Sequence, residues 1–99
     1  MQLSEFRATL SVGKPPEELS DVLKAMWLDA NGDWDRAHEL AQSVDTADGS
    51  WVHAYLHRVE GDLGNAGYWY RRAGHEVHRG ALSDEWEEIV SALLSSASA

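Results

Sequence analysis

Apolar residues in this 99-residue chain recur three and four positions apart along most of its length, the spacing that gathers side chains on one face of an α-helix. Leu3, Phe6 and Leu10 predict a short N-terminal helix within residues 1–12, which Val12-Gly13-Lys14-Pro15-Pro16 breaks. Leu19, Val22, Leu23, Met26 and Ala30 form the apolar face of a segment read as helical from Glu17 to Asn31. Pro16 stands at its first turn, and Glu17 and Glu18 face the positive end of its dipole. Asn31-Gly32 supplies a left-handed stop. Asp33 is then placed to cap a helix over Trp34–Val44 that buries Ala37, Leu40, Ala41 and Val44.

The same logic runs again further on. Thr46-Ala47-Asp48-Gly49-Ser50 reads as a linker, followed by a helix over Trp51–Glu60 with Trp51, Ala54, Tyr55 and Val59 inward. Gly61-Asp62 turns the chain into a helix over Leu63–Ala73, which packs through Ala66, Trp69, Tyr70 and Ala73 and ends at Gly74. His75 to Leu82 is a looser segment. Ser83 is expected to cap a last helix over 83–96 with a stripe of Trp86, Ile89, Val90, Leu93 and Leu94, and Ser95 to Ala99 to fray.

A short phrase thus occurs twice, as Gly32-Asp33-Trp34-Asp35-Arg36-Ala37 and as Gly61-Asp62-Leu63-Gly64-Asn65-Ala66. Laying residues 23–44 on 52–73 gives four identities: Ala25 with Ala54, Gly32 with Gly61, Asp33 with Asp62 and Ala37 with Ala66. All are folding residues: glycines that turn, aspartates that cap, alanines that let helices approach. The segment Glu60-Gly61-Asp62 through Tyr68-Trp69-Tyr70-Arg71-Arg72-Ala73-Gly74 resembles the second half of a tetratricopeptide-like or Sel-like repeat, with Gly61, Ala66, Tyr70 and Ala73 at that pattern's positions. The first unit keeps Gly32 and Ala37 but has Ala41 and Val44 where the aromatic and the last alanine would stand, and both units fall short of the usual period of about 34 residues. Trp51-Val52-His53-Ala54-Tyr55-Leu56-His57-Arg58 resembles a stretch of small bacterial proteins of unassigned function.

The resemblance spans residues 17–74 and implies an all-α fold. It comprises two tetratricopeptide-like antiparallel hairpins (17–46 and 48–74), a short N-terminal helix and a C-terminal capping helix, counted as five helices in one domain. Two hairpins need lids to cover their apolar faces, and the terminal helices are expected to supply one at each end. Leu94 beside Val90 would face outward from such a lid, which leaves a homodimer open.

Composition narrows the functional classes. An apolar share of 43% with five tryptophans sets the chain apart from disordered sequences. The absence of cysteine excludes disulfides, thiolate metal sites and a thiol nucleophile, and suits a cytoplasmic setting. There is no signal-peptide pattern and no apolar run of about 20 residues, so no membrane partner is expected. A net charge of −9 argues against nucleic acid as a partner. The one basic stretch, residues 53–79, carries Arg58, Arg71, Arg72, Arg79 and four histidines.

Candidate chemistry is confined to that stretch and to Trp34. His53 and His57 lie one helical turn apart with Glu60 beyond, a spacing that suits a divalent metal, although Ala54 stands where the glutamate of a His-Glu-x-x-His motif would be. The competing expectation places both histidines on an exposed groove, with no metal and no cofactor. Arg71, Arg72, Arg79, His75 and His78 form a second group suited to an anion or to a helix C-terminus. Asp84, Glu85, Glu87 and Glu88 read as a solvated acidic face. The preferred function is a non-catalytic module in which the helices beginning near Glu17 and Trp51 line a groove for a protein or peptide. His53, His57, Arg58, Glu60, Arg71, Arg72 and Trp34 are its candidate contacts. The alternative is a small metal-dependent or anion-binding enzyme using His53, His57 and Glu60.

Overall fold

A computed structural model describes residues 1–98, with side-chain surroundings through residue 96. Among the described residues the chain is all-helical: α1 Leu3–Thr9, α2 Asp21–Ala30, α3 Trp34–Gln42, α4 Ala47–Val59, α5 Leu63–Ala73 and α6 Leu82–Ser98. The count is six rather than the expected five; the expected elements themselves, two hairpins of two helices each and one helix at either terminus, sum to six. No described helix is long and apolar enough to cross a membrane.

The turns between α2 and α3 and between α4 and α5 are built alike. Gly32 and Gly61 adopt φ of 81° and 87°, a region open to glycine at little steric cost. Asp33 then accepts from the Arg36 amide, and Asp62 from the Asn65 amide. The amides of Asp33 and Asp62 return to the carbonyls of Leu28 and His57, both at 2.9 Å. Ala25, Ala37, Ala54 and Ala66 are all buried, so each pair of helices closes on small residues.

Two helix starts differ from expectation for local reasons. α2 begins at Asp21 and not Glu17, because Ser20 adopts extended backbone and caps the Leu23 amide, leaving Glu17 and Glu18 in a turn closed from Leu19 to Pro16. α4 begins at Ala47 and not Trp51, because Thr46 caps the Gly49 amide at 3.1 Å. Gly49 is therefore no linker residue. A Cβ there would lie 2.0 Å from the Val44 carbonyl oxygen, so the glycine lets α4 start hard against the end of α3. α6 is helical through Ser98, past the point where fraying was expected; Ala99, at the end of that stretch, lies outside the described residues.

The terminal helices do not sit one at each end. α6 packs on both α2 and α4, and α1 packs on α6. Phe6 meets Trp86 at 5.8 Å between ring centroids, the Trp86 indole donates to the Met26 carbonyl at 3.2 Å, and the Trp27 indole donates to Thr9. Val90 and Leu94 are buried in this core, so they offer no outward apolar face for a second copy. The groove side of α2 and α4 is thus filled by the chain's own α6.

Candidate functional site

α4 is the central helix, touching α2, α3, α5 and α6. Its side toward α3 and α5 carries His53 and His57, one turn apart with rings stacked at 4.8 Å and 22°. From α3, Trp34 and His38 are likewise one turn apart and stacked at 4.8 Å. That places the His38 ring 4.6 Å from His53 and 5.0 Å from His57, edge-on to both. The Trp34 indole donates to the Leu56 carbonyl at 2.7 Å, which ties the start of α3 to α4 and holds His38 in register. From α5, Trp69 stacks on the other face of His53 at 4.0 Å.

The three imidazoles each present a ring nitrogen, and these lie within 4.8 Å of one another. His38 Nε2 and His53 Nε2 are 2.9 Å apart, so one donates and the other accepts. His57 Nδ1 lies 2.9 Å from Glu60 Oε1. A carboxylate only accepts, so Nδ1 bears the proton, and in the neutral ring the lone pair falls on Nε2. Burial, followed by the neighbouring His38 and His57, pushes His53 from its ordinary 6.5 down to about 4. His38 is lowered as well, by burial first and then by His57, with Glu60 and Asp35 pulling the other way. Both rings therefore favour the neutral form, with one lone pair engaged in their mutual hydrogen bond.

His53 and His57 are 4% and 7% exposed, which corrects their expected place on an open groove face. The cause is α3, which brings His38 and Trp34 over them. His38 itself was absent from the sequence-based candidates. It aligns with Gly67 in the second unit, so the repeat gave no reason to look at it. The signal was the Trp34-x-x-x-His38 spacing, which matches His53-x-x-x-His57.

The other candidates separate. Arg58 leaves α4 on the opposite side, where it donates to Glu85 at 2.8 Å and to the Gly80 carbonyl. Tyr70 donates to the second Glu85 oxygen. Glu85 is 1% exposed and so departs from the solvated face expected of its acidic run. Burial and the bond to Glu85 push the Tyr70 hydroxyl above its ordinary range. Arg71 and Arg72 are exposed, with Arg72 over the Trp69 ring and donating to the Tyr68 hydroxyl. His75 stacks on Trp51, while His78 meets Glu88 at 2.7 Å, so the second basic group does not gather at one point.

Three histidines from two helices, with a carboxylate fixing the tautomer of one, form a donor set suited to zinc or a neighbouring first-row ion. A surface hollow of about 300 Å³ against Leu28, Arg36, Glu39, Leu40 and Ser43 brings no comparable set together. Compared with known proteins, the chain matches no family model, no curated protein and no solved structure.

Proposed function

We propose that the protein binds a first-row transition-metal ion, zinc foremost, through His38, His53 and His57. The observation that carries this reading is the convergence of three ring nitrogens within 4.8 Å on helices of separate pairs. Zinc–nitrogen bonds are about 2.0–2.1 Å, so nitrogens around one ion sit roughly 3.3 Å apart, a spacing these side chains reach by small rotations. A hydrogen bond uses only one lone pair of the His38–His53 couple. A metal ion would engage all three rings.

The scaffold is read as two tetratricopeptide-like or Sel-like hairpins, supported by the matching glycine turns and aspartate caps. A peptide-binding role for the α2–α4 groove has less support, since α6 occupies that surface. The test is metal analysis and calorimetric titration of tag-free protein with zinc. One ion per chain is expected, lost in His38→Ala, His53→Ala and His57→Ala. A folded wild-type chain that takes up no stoichiometric metal would overturn the proposal.

A further inference from the structure

The three-histidine centre has a fourth side, and its surroundings indicate what belongs there. Among the described residues the cluster that meets at one point contains His38, His53 and His57 alone. The neighbouring group, His57 with Glu60 and Asp62, shares only His57 with it. Glu60 is already directed at His57 Nδ1, which leaves Nε2 to carry that ring's lone pair. Structural zinc sites close with four protein ligands, whereas sites with three keep a position for water or an incoming ligand.

The backbone provides a way in. α3 and α5 both pack on α4, but among the described residues their backbones do not meet. Between them stand His53 and His57 of α4, both buried, with His38 and Trp34 of α3 on one side and Trp69 of α5 on the other. Among the described residues neither α1 nor α6 packs its backbone on α3 or α5. His38, Trp34 and Trp69 are each half-buried, so solvent reaches part of this gap between α3 and α5.

Resting on the metal-binding reading, we infer that the centre is of the open kind: its fourth coordination position faces the gap between α3 and α5 and holds a water that exchanges with small anions. Glu60 acts as the positioning residue that turns His57 Nε2 toward the ion. Neutral imidazoles leave the bound ion its full positive charge, which favours an anionic fourth ligand. The half-buried indoles limit access to species of a few atoms.

The test uses wild-type protein loaded with cobalt(II), whose visible d–d bands report coordination directly. Azide titration is expected to shift those bands saturably, at one anion per cobalt. Glu60→Ala should lower cobalt affinity about 10–100-fold, as loss of an outer-shell partner does, and Glu60→Gln, which keeps an acceptor for Nδ1–H, should restore part of it. Cobalt bound with bands that azide leaves unmoved would overturn the open position while sparing the metal-binding reading. Unchanged affinity in Glu60→Ala would overturn the positioning role. A folded protein that binds no cobalt would remove both.

Discussion

The two sides of α4 handle buried polar groups in opposite ways, and adjacent residues supply them. His57 points toward α3 and α5, and Arg58 toward α6. On the α6 side the groups are complementary: the Glu85 carboxylate is met by Arg58 and by the Tyr70 hydroxyl, and Arg58 also reaches Gly80. On the α3 side the groups are alike, three imidazoles of which two share a hydrogen bond while the third bonds Glu60. A complementary network is a means of docking a helix. On the proposed metal-binding reading, the cluster of like groups is completed by an added ion, whereas the complementary one serves architecture.

The largest expected effect lies on the α6 side. Glu85→Ala leaves Arg58 and Tyr70 without their shared partner in a buried setting, a change that typically destabilises by about 3–5 kcal/mol. Denaturant unfolding followed by circular dichroism should show it; a loss below about 1 kcal/mol would mean the network does not hold α6 in place. On the other side stability should respond to metal. Free zinc at about 100 times its dissociation constant should add about 2.7 kcal/mol to the wild type and nothing to His53→Ala, read as the shift in unfolding midpoint. An equal shift in both would place the binding elsewhere.

Smaller effects sharpen the contrast. Tyr70→Phe removes a hydrogen bond to a charged group, worth about 1.5–3 kcal/mol, and should leave metal affinity unaltered. The same residue contributes to an alkaline limit alongside Tyr55, whose hydroxyl is also pushed up by burial. The folded pKa of Tyr70 is raised, by burial first and then by the hydrogen bond to and charge of Glu85, with Arg58 opposing. The unfolded chain therefore releases this proton first, near pH 10, and stability falls as pH rises beyond that point. Tyr70→Phe should flatten the decline in thermal melts taken across that range. Smallest of all, Asp33→Ala and Asp62→Ala should each cost about 1 kcal/mol, in keeping with two turns capped alike. Unequal losses would show that the second turn, next to Glu60, carries a further load.

Elements governed by short-range chemistry were legible from the chain alone. α5 has the expected bounds because Asp62 caps it and Gly74 ends it in left-handed backbone, both local signals. The start of α4 was hidden because Asp48-Gly49-Ser50 has the composition of a loop, while the reason for Gly49 is a contact with Val44 across the turn. Two of the three clustered histidines were visible as a spacing on one helix. His38 was not, since its meaning depends on how α3 crosses α4. Glu85 was read as solvated because its neighbours are, whereas the first turn of α6 directs it alone into the core. The terminal helices were read as separate lids because amphipathic patterns show that a face is covered without showing by what.

The close approach at Gly49 reaches further than the turn it permits. His53 stands one helical turn after Gly49 and His57 one after that, so the helix that carries both imidazoles starts where a Cβ would collide with the Val44 carbonyl oxygen. A methyl group at position 49 would act as a wedge at the pivot, swinging both imidazoles relative to His38 without touching any of them. The alignment of the histidine triad is in this sense calibrated by a residue that has no side chain.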